Sequence, residues 1–197
     1  MIRRARLTLA TILVAAAATA CLDGTGPAGA FLVSGPIQNN TGAPIPPGTR
    51  VVVVWGVTSG SPDYAFVFGE GVIDRYTGTV RVRFDGPPPV EALNRGVLGV
   101  GFLVATTDQS MKDGDVFGTG HPLTNVVGIT GQHAVIFVSH PDTLYAGTWA
   151  AEFETGYSLG VGVKVPGSVF DKFEPVSPSS ALLIIDVLAN IEIVNWT

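Results

Sequence analysis

The chain has 197 residues, 46% hydrophobic and 14% charged, with 11 basic and 16 acidic residues and a formal net charge of −5. Its single cysteine excludes any intramolecular disulfide, and the acidic balance argues against nucleic acid, whose binding depends on Lys and Arg neutralising phosphates. The length suits one domain behind a targeting segment.

Three zones open the sequence. Arg3, Arg4 and Arg6 make a cationic head, residues 7–20 carry no charge, and the stretch ends in alanines before Cys21. Head, apolar run and small-residue exit are the order of a secretory signal peptide. The apolar run is 14 residues long, short of the roughly 20 that a membrane-spanning helix needs. Ala18-Thr19-Ala20-Cys21 resembles the bacterial lipobox, with Ala18 where leucine is usual. The resemblance implies diacylglycerol on the Cys21 sulfur and an acyl chain, such as palmitate, on the new N-terminus. Several acyl chains anchor durably, since each buried CH₂ contributes about 0.8 kcal/mol. Leu22, rather than an aspartate, follows the cysteine, which in that family implies delivery to the outer membrane, with the domain periplasmic or surface-facing. Residues 1–20 are thus read as a signal peptide, 21–30 as a lipidated, Gly-rich tether and 31–197 as the domain. Three of the 11 basic residues leave with the signal peptide, so eight face 16 acidic ones in the remainder.

Along the domain, stretches rich in Val, Ile, Phe and Trp alternate with Gly, Pro, Asn, Asp and Ser clusters. They predict strands over 31–34, 50–58, 64–68, 72–75, 79–84, 97–106, 134–139, 148–155, 159–165, 181–187 and 191–194. Residues 51–55 and 97–104 are nearly unbroken apolar runs, as expected of central strands covered on both faces. Arg81 and Arg83 alternate with Val80, Val82 and Phe84, the pattern of a half-buried strand with one wet face. Trp149, Ala151 and Phe153 alternate in the same one-sided way. Only residues 88–94, with Val-Glu-Ala-Leu after prolines, invite a helical turn. The expected fold is all-β: a single β-sandwich or partly closed barrel with at most one short helix.

Few segments offer chemistry. Gly96, Gly99 and Gly101 sit inside an apolar run, whereas a phosphate loop puts its glycines between a strand and a helix N-terminus; relief of crowding or a bulge is the expectation. Asp108, Asp113 and Asp115 offer several oxygens to a cation from one loop, but their spacing is not that of a calcium loop and Lys112 opposes a cation there. His121 and His140 are His-Pro steps at strand edges, and with Asp142 they could form a metal or hydrolytic site only if the fold brought them together. His133 is read as a strand-edge residue. Tyr64, Phe66 and Phe68 recur at period two and so project from one face, either as a platform for a sugar or apolar ligand or as core beneath Trp55. Gly156-Tyr157-Ser158-Leu159-Gly160 has the form Gly-x-Ser-x-Gly, but that pattern marks a nucleophile only on a strand-to-helix turn, and here it runs into the strand predicted at 159–165 with no helix signal after it. No cofactor and no metal is expected.

The stretch Val33-Ser34-Gly35, then Asn39-Asn40-Thr41-Gly42-Ala43-Pro44-Ile45-Pro46-Pro47-Gly48-Thr49-Arg50 into the valine run, resembles the opening hairpin of transthyretin-like and carboxypeptidase-regulatory-like β-sandwiches, and of pilotin-type lipoproteins. Gly60-Ser61-Pro62-Asp63-Tyr64, Phe68-Gly69-Glu70-Gly71, Asp85-Gly86-Pro87-Pro88-Pro89 and the ending Val194-Asn195-Trp196-Thr197 resemble a family of uncharacterised bacterial lipoproteins. That resemblance implies a lipid anchor and a β-domain and no catalytic residue. Three functions follow as expectations: a non-catalytic envelope lipoprotein that binds or assembles with a protein or glycan partner, a carbohydrate or small-ligand binding module, or an envelope hydrolase.

Overall fold

The computed structural model describes residues 30–57, 64–118, 120–163, 172–186 and 190–191. Among them the chain is all-β, with strands β1 (Phe31–Asn39), β2 (Arg50–Val57), β3 (Tyr64–Asp74), β4 (Thr79–Phe84), β5 (Leu98–Thr106), β6 (Val116–Gly118), β7 (Leu123–Thr124), β8 (Val126–Thr130), β9 (His133–Val138), β10 (Gly156–Val163), β11 (Lys172–Val176), β12 (Leu183–Ile185) and β13 (Asn190–Ile191). Three single turns of 3₁₀ helix lie at Val90–Ala92, Thr143–Tyr145 and Trp149–Glu152. The first falls within the segment where a helical turn is expected.

Seven strands close a barrel in the order β5-β2-β3-β4-β1-β12-β8, with β8 pairing back onto β5. Every step of the ring is antiparallel except β1–β12. Strand β5 is the fork of the sheet. One of its edges is paired with β2 from Val100 to Thr106; the other is shared, Leu98–Gly101 with β9 and Val104–Thr106 with β8. From that fork β9, β10 and β11 run out as a three-stranded wing.

Alternation along the strands fills the ring. Val33, Val51, Val53, Trp55, Val80, Val82, Phe84, Leu103, Ala105, Leu183 and Ile185 form one buried cluster. Trp55 is wholly buried there, and two glycines of β5 make room for it. A Cβ on Gly99 or Gly101 would lie 2.9–3.0 Å from indole atoms, which explains glycines inside an apolar run. The opposite face of β2 is buried as well: Val52 and Val54 pack with Ala65, Val67 and Val104 under Met111, Phe117 and Leu123. The valine run is therefore covered on both sides, as its unbroken apolar sequence predicts.

In β3 the register slips between Val52 and Val54 of its partner: Val52 faces Glu70 while Val54 faces Val67. Phe68 and Gly69 thus oppose one residue, a β-bulge, and Gly69 has a φ of 106° that only glycine adopts without strain. The bulge joins two stretches predicted as separate strands, 64–68 and 72–75, into one. It also exchanges faces: before it Phe66 stands beside Trp55, and after it Gly71 and Ile73 take the inward positions opposite Val82 and Val80.

The wing is buried on both faces. Val135, Phe137, Leu159 and Tyr157 join the ring's interior cluster; Ala134, Ile136 and Val138 pack on the other side with Ala150, Phe153 and Phe173. Residues 148–155, expected to form a strand, instead contain the 3₁₀ turn at Trp149–Glu152. That turn brings Trp149 and Phe153 together edge to face, centroids 5.8 Å apart, so the segment covers β9 rather than pairing with it. Strands β6, β7, β8 and β11 were not foreseen. Strand β11 carries Pro175 beside charged Lys172 and Glu174, a composition that reads as loop and suits a sheet edge, where a missing N–H breaks no ladder. Of the predicted strand 191–194, only residue 191 falls within the described residues.

Register places the strand ends. Phe31 faces Phe84, Val57 faces Tyr64, and Val138 faces both Leu98 and Gly156. The start of β1 therefore shares one end of the barrel with residues 85–97 and 139–155. Residues 85–97 fold back over that end, with Ala92 and Leu93 buried in the interior cluster, the Tyr64 hydroxyl donating to the Glu91 carbonyl at 3.0 Å and that of Tyr157 to the Gly86 carbonyl at 2.9 Å.

Candidate functional site

The acidic loop serves the bulge. A bulge leaves backbone groups outside the ladder, and buried groups of that kind need partners. Asp113 Oδ1 accepts the Gly69 N–H at 3.0 Å, and the indole N–H of Trp55 donates to the Phe68 carbonyl at 2.9 Å. Asp115 accepts the Lys112 N–H through its side chain at 2.8 Å and the Val67 N–H through its carbonyl at 2.9 Å. Asp108 accepts the N–H and hydroxyl of Ser110 at 2.8 and 2.7 Å, and these bonds hold its carboxyl below the ordinary aspartate value. Among the described residues no three His, Cys, Asp or Glu side chains gather as a metal site. The three aspartates stabilise backbone, each at a different place.

The aromatic row lies on the inward side of β3. Phe66 and Phe68 pack against the interior cluster, and the Tyr64 hydroxyl is engaged with Glu91. The barrel's main aromatic assembly lies elsewhere, around Tyr157 of the wing. Its ring stacks on Phe84 at 4.5 Å and Phe31 at 5.4 Å and meets Phe137 edge-on at 4.7 Å. Burial pushes the Tyr157 phenol well above its ordinary value. This nest fastens wing to ring.

The histidines separate. His121 lies flat on Phe117, centroids 5.2 Å apart. His133 opens β9, where its buried Nδ1 makes no hydrogen bond and burial lowers its pKa. His140 alone meets other reactive types: Nδ1 is 2.8 Å from the Ser139 hydroxyl and Nε2 is 3.9 Å from Asp142. The option that His121 and His140 meet with Asp142 is not realised among the described residues; the Ser139 contact carried no sequence signal, because a serine next to a histidine has none of its own.

Ser, His and Asp in sequence suggest a relay, so the protons decide. Ser139 Oγ also lies 3.0 Å from the Gly96 carbonyl, which can only accept. With its one proton given to Gly96, the hydroxyl receives its second bond from His140 Nδ1–H. In that tautomer His140 is no base toward Ser139; it becomes one only if Ser139 turns its proton from the Gly96 carbonyl to Nδ1. The 3.9 Å separation on the other side exceeds a hydrogen bond. The arrangement ties the end of β9 to the loop before β5, reinforced by the Ser139 N–H to Val97 carbonyl bond at 2.9 Å. Beside it Arg95 holds a φ of 52°, rare for a side-chain-bearing residue, and both Arg95 and Asp142 act on the Tyr145 phenol, whose pKa burial raises. Arg95 and Tyr145 were missed for want of any motif.

Cys21, the expected lipidation site, lies outside the described residues. The chain matches no family model, no curated protein and no solved structure.

Proposed function

We propose that this chain is an outer-membrane lipoprotein acylated at Cys21, whose β-domain binds or helps assemble a partner through its outer surface rather than through a reactive group. The observation that carries the reading is the filled ring: Trp55, Leu103, Leu183 and Ile185 are each at most 1% exposed, so a ligand or partner meets the outside of the barrel. The engagement of Asp108, Asp113 and Asp115 with backbone supports it further. Replacing Cys21 with serine should abolish labelling by a fatty-acid analogue and move the protein from the membrane fraction to the soluble envelope fraction; unchanged labelling and fractionation would end the reading. In-cell crosslinking with mass spectrometry then identifies the partner, protein or glycan-bearing.

A second reading, an envelope hydrolase, draws on the Ser139–His140–Asp142 contacts. A serine-directed fluorophosphonate that labels the wild-type chain and not Ser139→Ala would put it first.

A further inference from the structure

Resting on the anchor at Cys21, we infer that the tether-side end of the barrel lies against the bilayer, and that the corner formed by Arg95, Asp142, Tyr145 and Trp149 receives zwitterionic phospholipid headgroups.

Chain length sets the geometry. Nine residues, 22–30, separate Cys21 from Phe31 at the start of β1, and at most about 3.6 Å per residue they span roughly 32 Å. Strand β1 is itself nine residues long, about 30 Å at 3.3 Å per residue. To turn the far end of the barrel to the membrane, the tether would have to run back along the whole of β1 with nothing left over. The end that carries Phe31, residues 85–97 and residues 139–149 is therefore the near one.

The chemistry of that end fits a lipid surface of one kind. Val90 is 61% exposed, and Tyr145 and Trp149 are half-buried, with apolar bodies and polar tips of the sort that settle at membrane interfaces. Arg95 is exposed in the loop whose Gly96 and Val97 carbonyls accept from Ser139 at 3.0 and 2.9 Å, and three residues on from Ser139 the Asp142 carbonyl accepts the Tyr145 N–H at 3.2 Å, so the four residues share one corner. A headgroup with a phosphate and an ammonium can meet Arg95 with the first and Asp142 with the second. Exposed Glu91 and Glu154 at the same end repel an anionic surface, so the fit is to phosphatidylethanolamine or phosphatidylcholine. The far end carries the wholly exposed Tyr76 on the β3–β4 hairpin and points outward.

The test uses the full lipidated chain in vesicles of these two lipids. Since Cys21 is the only native cysteine, Val90→Cys and Tyr76→Cys each supply one spin-label site once Cys21 is acylated. The label at 90 should be several-fold less accessible than that at 76 to a water-soluble relaxer and more accessible to oxygen. Adding Arg95→Gln should raise aqueous access at position 90 several-fold. Equal access at 90 and 76 in a chain that floats with the vesicles overturns the inference alone. Protection at 90 that Arg95→Gln leaves unchanged overturns the headgroup assignment. A chain that does not float removes the anchor, and the inference with it.

Discussion

The closed ring and the three-stranded wing are cut from one sheet at β5, yet they are held by different means. In the ring every strand has a partner on both sides and the interior is one cluster centred on Trp55. The wing ends at β11, whose outer edge carries Pro175 and whose Lys172–Glu174 pair, 2.7 Å apart, sits at the surface. It keeps its place through side chains: the Tyr157 nest on one face and Trp149, Phe153 and Phe173 on the other. Closure protects backbone in the ring, whereas aromatic packing substitutes for closure in the wing. Since β5 belongs to both, damage to the ring should propagate outward more readily than damage to the wing should propagate inward.

The sharpest way to break that comparison is Trp55→Ala. Loss of a fully buried tryptophan typically costs about 3–5 kcal/mol, against a total of about 5–15 kcal/mol for a domain. Here the loss also takes the donor from the Phe68 carbonyl and opens a void beside Gly99 and Gly101. Ring and wing should unfold together in denaturant. A folded variant whose transition is shifted by less than about 1 kcal/mol would show that the ring does not depend on its central residue.

Trp149→Ala addresses the other side. Trp149 is half-buried and makes edge contacts to Phe153 and Phe173, with centroids 5.8 and 5.2 Å apart, each worth about 0.5–1.5 kcal/mol beyond burial. The expected loss is about 2 kcal/mol, and it should be local. Hydrogen exchange should quicken for β10 and β11 while amides of β2 and β3 keep their protection. Uniform acceleration across both regions would mean that ring and wing open as one unit.

How much of this was legible follows from where each signal resides. Unbroken valine and Gly-laced runs identified β2 and β5 as doubly covered strands, because burial on both faces removes the period-two alternation. Strand β4 was found at its true bounds, since its outer face is wet and Arg81 and Arg83 mark it. Residues 148–155 misled because Trp149, Ala151 and Phe153 alternate as a strand would, and whether they pair or cap a sheet depends on β9, far away in sequence. The bulge at Phe68–Gly69 was hidden for the same reason: it exists only in the register with β2. Without it the role of Asp113 could not be read, and the spacing of the three aspartates argued only against a calcium loop without saying what they do instead. The Arg95–Asp142–Tyr145 corner depends on two loops that meet only when β5 pairs with β9.

Asp113 gives a smaller effect with a diagnostic pattern. Asp113→Ala removes the acceptor for the Gly69 N–H, and an orphaned buried donor costs about 1–3 kcal/mol. Asp113 is itself exposed, so water partly replaces it and about 1 kcal/mol is expected by chemical denaturation. Asp113→Asn keeps an acceptor oxygen and should recover at least half. If both variants match wild type, the bulge does not need the loop; if calcium stabilises wild type and neither variant, the aspartates are a cation site after all.

The smallest effect is one of pH, and it separates two sets of groups. His133 has its pKa lowered by burial, so the folded state disfavours its charged form. Above about pH 6.5, the ordinary histidine value, both states leave it neutral and it contributes nothing. As pH falls through that value the unfolded chain takes up a proton that the folded chain resists, and stability declines until the lowered folded pKa is reached. Asp74 and Asp108 have the opposite perturbation in a lower window. Hydrogen bonds from Thr77 and Tyr76, and from Ser110, lower their pKa values, so their contribution is present above about pH 4 and lost below it. Both aspartates are surface groups, and their part should be slight. Melting temperature measured from pH 7.5 to 3 should therefore fall in two steps. His133→Gln should flatten the step that begins below about pH 6.5 and leave the lower one, and Asp108→Asn should do the reverse. A wild-type curve that is level from pH 7 to 5, or an upper step that survives His133→Gln, would show that the buried Nδ1 at the start of the wing is solvated on the time scale of titration and that the wing is looser at its root than its packing implies.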